Sequence, residues 1–240
     1  MSFVHFIYIQ SSTATAFLSP EIVTQLQQIV RATPALTRGL FYLPAKAQDY
    51  YTDDGPSPRL ALQLYYSDLE TLEKAICTGG YLQILTDSAL WIGLPGLRIT
   101  HQVMYARDYT LLDTADLSDT GEPLCSYLVH YPGKADDLNN WLNYYLDHHP
   151  QILRTFPGLR EIEIYTRVSW RDALPWESVN YMQRNRLIFD NAAALEAALN
   201  SPIRHESRAD FEKFPHFTGS NIHFPMLTED LNLLPEGVTT

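Results

Sequence analysis

Two adjacent imidazoles, His148 and His149, close an amphipathic segment immediately ahead of Pro150. An unperturbed imidazole titrates near pH 6.5, so a histidine can give or take a proton close to neutrality. His148 is the expected general base at the mouth of an internal space. The blander reading makes it a cap on the helix C-terminus, where positive charge is favoured. His223, in the last apolar run, can reach a ligand from the mixed face of a strand, or serve as a hydrogen-bonded interior histidine. Tyr165 is the third catalytic candidate, able to steady charge that develops during proton transfer. Arg186, Glu163 and Tyr42 fit around it as substrate-binding groups, because an Arg-Tyr-His lining suits an anionic or phenolic molecule. The competing reading pairs Glu161 and Glu163 with Arg184 and Arg186 across a hairpin, at roughly 0.2–1 kcal/mol a pair. It also leaves Tyr42 and Tyr165 as shared packing. Trp170, with Trp176, lies in a long connection and reads as a hydrophobic lid or as a loop anchor.

Other chemistries lack their residues. No serine elbow is present, and His205 with Asp210 on one short helix makes no triad. The eight histidines show no H-x-x-x-H spacing, so no metal is expected. A haem reading would rest on a lone histidine such as His205, no phosphate-cradling glycine loop occurs, and no cofactor is expected. A net charge of −11 without a basic patch argues against nucleic acid. No apolar run approaches the roughly 18–20 residues of a membrane span. Phe3–Ile9 reads as a first strand rather than a signal peptide. Cys77 and Cys125 form no ligand pattern, which fits a reducing cytoplasm.

The candidates need elements to hold them. Phe3–Ile9 is a β-rich run. Ser19-Pro20-Glu21 starts a helix that Pro34 stops. Strands follow at Gly39–Leu43 and Leu60–Tyr66, separated by a polar connection. Ser67-Asp68 caps a helix to about Ile76, a shorter helical piece covers Tyr81 to about Leu90, and Leu97–Tyr105 is a fourth strand. The later chain repeats this order: strand 124–131, helix 135–155, strand 159–167, connection 168–180, strand 181–189, helices 191–200 and 204–213, strand 218–225.

The repetition is visible in the residues. Arg31-Ala32-Thr33-Pro34-Ala35-Leu36 aligns with Arg154-Thr155-Phe156-Pro157-Gly158-Leu159 at an offset of 123. The same offset joins Tyr42 to Tyr165, Asp87 to Asp210, and Tyr8 to Tyr131, with no gap required. Residues 1–110 and 124–226 are read as two copies of one unit, joined by a linker at 111–123 and followed by a tail at 227–240. A βαββαβ unit gives a four-stranded antiparallel sheet with its helices on one face. Two such sheets pressed together bury the other face. Alternation puts Ile162, Ile164, Leu187 and Phe189 under the helices, and Glu163, Tyr165 and Arg186 between the sheets.

Tyr131-Pro132 with Lys134, then Trp141, Tyr144-Tyr145, His148-x-Pro150 and Phe156-Pro157-Gly158-Leu159, resembles the EthD-like family of the dimeric α/β-barrel superfamily. The match covers roughly Tyr127 to Pro225. The first copy departs from it, with Gln25-Leu26-Gln27 where His148-His149-Pro150 stands. The resemblance implies an α+β fold in which two tandem ferredoxin-like units close an intramolecular pseudo-dimeric barrel with a small-molecule ligand inside. A cofactor-free enzyme of proton-transfer, dehydratase or monooxygenase type follows, acting on an aromatic or polyketide-like compound. The alternative is a non-catalytic binding or structural barrel, and a homo-oligomer is compatible with either. The ionisable groups concentrate in the second copy, so one working site is expected there.

Overall fold

Capping residues and alternating apolar positions set the elements in a computed structural model that describes residues 2–13, 15–111 and 122–231. The first half runs β1 (Ser2–Gln10), α1 (Pro20–Arg31), β2 (Arg38–Pro44), β3 (Leu60–Tyr66), α2 (Leu69–Ile76) and β4 (Arg98–Asp108). The second runs β5 (Leu124–Tyr131), α3 (Leu138–Leu153), β6 (Leu159–Arg167), β7 (Glu177–Ser178), β8 (Gln183–Phe189), α4 (Ala192–Leu199), α5 (Pro202–Phe211) and β9 (Ile222–Asp230). Ser19, Asp68, Asp137 and Asn191 each accept a backbone N–H of the first turn that follows, satisfying a donor the helix leaves open. Gly158, at φ 71°, takes the left-handed conformation that carries the chain into β6.

Eight strands close a barrel in the order β1-β3-β2-β9-β5-β8-β6-β4, with β4 returning to β1, and β7 hangs on β4 as a short parallel addition. Each half contributes a ferredoxin-like sheet. β2 then pairs with β9 and β6 with β4, so neither sheet keeps an open edge there. The fold is the expected α+β pseudo-dimeric barrel. Between β1, β3 and the helices of the first half lies one apolar core, including Leu26, Val30, Leu62 and Leu72. The second half builds its own from Trp141, Tyr145, Ile162, Leu187 and Leu195. A third cluster fills the space between the sheets with Phe6, Tyr8, Tyr42, Tyr65, Met104, Tyr165 and Met226. Ile162, Ile164, Leu187 and Phe189 therefore face helices, as alternation requires.

Three expectations change. The single offset fails at the first and last strands. β3 and β8 correspond at 123, with Leu62 pairing Ile7 and its counterpart Asn185 pairing Val129, which stands 122 residues after Ile7. Ile7 pairs His101 and Val129 pairs His223, so β4 and β9 also correspond at 122. One residue of slip exchanges the two faces of a strand. Tyr8 is thus equivalent to His130, not Tyr131, and His223 to His101, not Thr100. Residues 227–230, expected to begin a tail, complete β9 and satisfy the edge of β2. The helical piece after Gly80 is two 3₁₀ turns, Tyr81–Thr86 and Ser88–Trp91. Residues 112–121 of the expected linker, and the tail beyond 231, lie outside the described residues. No helix among the described residues is long and apolar enough to cross a membrane.

Candidate functional site

The space between the sheets is occupied by a polar network, not a chamber. Arg186 is fully buried against Glu163 and Glu161, and its Nε donates to the Tyr165 hydroxyl at 3.0 Å. Tyr65 and Tyr165 both donate to Glu163, and Tyr42 donates to Gln63 Oε1 at 2.7 Å. Burial pushes the Glu163 carboxyl up, but the Arg186 charge and these hydroxyls outweigh it and hold the group at about 2. Tyr42 and Tyr165 are pushed up by burial and stay protonated. Each of these groups finds a partner inside the protein, although the buried Nη1 of Arg186 is left without one.

Open volume lies outside the barrel, on the helix side of the second half. An inner cavity of about 40 Å3 is lined by Leu187, Leu195 and Phe211 and by the polar groups of His149, Asn185 and Arg204. An outer recess of about 930 Å3 adjoins it, and the two share Thr52, Tyr127 and His223. The connection between β2 and β3, from the first half, forms much of the outer wall through Ala45–Ser57.

Helix α3 presents Trp141, Tyr145 and His149 on one face at four-residue spacing, and all three are buried. The His149 Nδ1–H donates to Asp210 Oδ2 at 2.8 Å, and Asp210 Oδ1 accepts from the Tyr144 hydroxyl at 3.1 Å. Burial lowers the His149 pKa against the opposing pull of Asp210. Burial also raises Asp210, but the His149 contact outweighs it and keeps that carboxyl below its usual range. The pair is a neutral imidazole on a carboxylate near neutral pH. Nε2 of His149 has no hydrogen-bond partner among the described residues and carries a free lone pair.

A second imidazole joins it. His223 Nδ1 and its backbone N–H both donate to Asp54 Oδ2 at 2.8 Å, and its Nε2 accepts from Asn221 Nδ2 at 3.2 Å. Burial lowers the His223 pKa, opposed by Asp54. Tyr127 stacks on His223 and donates to Asp49 Oδ2 at 2.6 Å. Arg204 grips both oxygens of the same carboxylate at 2.9–3.0 Å. Asp49 and Asp54 belong to the first half, so the second half's site is completed by the other half's connection.

The anticipated residues divide accordingly. Tyr42, Glu163, Tyr165 and Arg186 meet between the sheets, as alternation placed them. His223 lies on the helix-facing side of β9, not the barrel side, because of the one-residue slip. His148 is exposed, stacks on Tyr144 and donates from Nδ1 to the Tyr144 carbonyl at 2.8 Å. Trp170 packs over the first half, against His5 and His101, and does not cover the recess. Missed were His149, Asp210, Asp49, Asp54, Arg204 and Tyr127. The four-residue spacing with Trp141 and Tyr145 distinguishes His149 from His148 in the sequence itself. The carboxylates of the connection carry no such periodicity. Among the described residues no group of three or more His, Cys, Asp or Glu could hold a metal ion.

No family model and no curated protein matches the chain. Solved structures do match it. An anthrone oxidase-like protein is 13% identical at a TM-score of 0.59, covering 99% of this chain and 96% of that one. A protein assigned provisionally as a monooxygenase, from Fusobacterium nucleatum subsp. nucleatum, is 7% identical at 0.53, over 95% and 93%. A chlorite dismutase variant from Candidatus Nitrospira defluvii is 11% identical at 0.51, over 94% and 90%. The shared feature is the dimeric α/β-barrel fold along nearly the whole chain.

Proposed function

We propose that this chain is a small-molecule enzyme of proton-transfer type whose site is the second-half recess, not the barrel interior. The observation that carries the reading is the His149–Asp210 pair, a neutral imidazole with one nitrogen held by a carboxylate and the other free at a cavity. A phenolic O–H, or a C–H made acidic by a neighbouring carbonyl, would pass its proton to Nε2 and leave its electron pair on the substrate. Asp210 stabilises the imidazolium that results, as a buried carboxylate does in orienting a catalytic histidine. Arg204 and Arg208 put positive charge on the cavity wall beside the anion formed. The names of the fold neighbours, anthrone oxidase-like and provisional monooxygenase, fit such chemistry on an aromatic or polyketide-like compound. Membership of the EthD-like family, and descent of the two halves from one duplicated unit, belong to the same proposal. In this reading the base is His149 and not the exposed His148. Tyr42, Glu163, Tyr165 and Arg186 become the support beneath it.

One observation favours a non-catalytic binding protein: the inner cavity, at about 40 Å3, has room for only a few waters. The outer recess is of ligand size. A nitrophenol probe separates the readings. Bound to an enzyme of this kind, it ionises at a lower pH than the free probe, and His149→Gln abolishes that shift while leaving the fold intact. Binding with no shift in ionisation supports the binding protein and overturns the enzyme.

A further inference from the structure

The two connections that cross between halves are equal in length, residues 45–59 and 168–182, and both flanking strand pairs correspond at 123. Residue equivalence therefore holds through them. Asp49 and Asp172 confirm it locally, since each accepts the backbone N–H two residues on, from Tyr51 at 3.0 Å and Leu174 at 2.9 Å. Each connection covers the other half: Ala45 and Ala47 pack on the second-half core, Val168 and Trp170 on the first.

Beneath Trp170 and Trp176 lies an imidazole–carboxylate contact on equivalent strand positions, although its carboxylate, Asp172, is the counterpart of Asp49 and not of Asp54, and Leu26 stands at the counterpart of His149. His101 corresponds to His223 and His5 to Tyr127, both at 122. His101 Nε2 lies 3.1 Å from Asp172 Oδ2, so it donates to the carboxylate and leaves Nδ1 to accept from His5 Nε2 at 3.0 Å. His5, fully buried, then keeps a lone pair on Nδ1 that no described group satisfies. A buried acceptor without a donor costs about 1–3 kcal/mol. The indoles of Trp170 and Trp176 stand edge-on to His101 at 5.1 and 5.6 Å between centroids. Their counterparts in the other connection are Ala47 and Asp53, and both of these line the open recess.

We propose that the first half holds an aromatic seat at the strand positions equivalent to the recess, closed by the chain's own Trp170 and Trp176, and that the recess is open because Ala47 and Asp53 stand in their places. The ligand such a seat takes is a planar aromatic ring of indole size, packed edge-on to His101 as the two indoles are. The proposal rests on reading the second-half recess as a ligand site, and its test keeps the two apart.

Indole itself is the probe, with stoichiometry read by calorimetry. The parent is expected to bind one indole, Trp170→Ala/Trp176→Asp two, and Ala47→Trp/Asp53→Trp none. In the opened chain, His101→Leu is expected to remove the gained site, because a generic hole would keep it. No gain in a folded Trp170→Ala/Trp176→Asp chain, or a gained site indifferent to His101→Leu, overturns the proposal. So does an indole still bound by Ala47→Trp/Asp53→Trp when the parent binds one. If the parent binds no indole, the reading of the recess fails, while one site gained on removing the tryptophans still supports the closed seat. Trp170→Ala alone serves if the double variant does not fold, with the same outcomes.

Discussion

Arg38 and Glu161 stand at equivalent positions of the two halves, 123 residues apart, and their side chains meet across the pseudo-twofold axis in a bidentate pair at 2.7 and 3.0 Å. In a true twofold dimer, a residue that touches its own mate meets the same charge. A single chain escapes that constraint, and here opposite charges face each other. Asp230 takes the Arg38 Nε at 2.8 Å, and Arg186 shares Oε1 of Glu161 with Arg38.

Arg38→Glu should therefore be the most disruptive single change at the axis. It would place a carboxylate among Glu161, Glu163 and Asp230, and a cost of about 2 kcal/mol or more is expected for the lost pair and the new repulsion. Arg38→Glu/Glu161→Arg should recover part of that loss, because the two positions are related by the axis while Asp230 and Arg186 are not. Urea unfolding of the three chains measures it. Equal stability of the single and double variants would contradict the pairing.

Asp108 sits at the rim of the same network, and its carboxyl is pushed up to about 6 by the hydrogen bond to Glu163, then by burial and the nearby acidic charges. An unfolded aspartate titrates near about 3.9. The folded state thus holds the proton more tightly, and this contribution is intact below about pH 4 and lost as pH rises through 6. Asp108→Asn keeps the donor and removes the charge. It should raise stability at about pH 7.5 by about 1 kcal/mol, after allowing for solvent screening, and leave it unchanged at about pH 4. A gain of equal size at both pH values would point to packing rather than charge.

Histidine burial sets the acid side. His5 and His130 are held well below the ordinary imidazole range, His5 by burial and then His101, His130 by burial and then the Arg184 charge. His149 and His223 are lowered in the same direction by burial. The unfolded chain takes up protons near pH 6.5 where the folded chain does not, so stability held above that pH falls as pH drops below it. His130→Gln, which can still accept from the Arg184 guanidinium at 2.7 Å in the parent, should flatten the fall by up to about 1.4 kcal/mol per pH unit. Denaturation between about pH 7 and 5 reads the slope, and identical slopes would remove His130 from the account.

Much of this was legible in the residues. Tyr42 with Tyr165, and Leu60–Tyr66 with Gln183–Phe189, kept a constant spacing through the middle of each half, and period-two alternation placed Glu163, Tyr165 and Arg186 between the sheets. What failed did so at single-residue scale. The step from 123 to 122 at β1 and β4 moved His223 to the other face, and the helical face shared with Trp141 and Tyr145 buries His149 while His148 stays exposed. The carboxylates of the connections, Asp49, Asp54 and Asp172, act across the half boundary. Local pattern carries no signal for a partner that lies 71 residues away in the case of Asp172 and more than 150 away for Asp49 and Asp54.

The two imidazole–carboxylate pairs, His149 at the inner cavity and His223 between cavity and recess, should separate by function, because their second nitrogens differ. His149 Nε2 is unengaged among the described residues, whereas His223 Nε2 already accepts from Asn221. Only His149 can take a substrate proton without first breaking a bond. Asp210→Asn would leave His149 without a carboxylate to stabilise its imidazolium, and the ionisation shift of a bound nitrophenol should shrink at least tenfold in equilibrium terms. Asp54→Asn removes the charge that ties the first-half connection to His223 through two hydrogen bonds. Its effect should fall on the rates at which the probe enters and leaves, with the bound probe's ionisation nearly unchanged. His148→Ala should alter neither, since that ring is exposed and bonded only to its own helix. Stopped-flow binding and spectral titration on the three variants distinguish these outcomes. A loss of ionisation in Asp54→Asn equal to that in Asp210→Asn would assign the base to His223 instead.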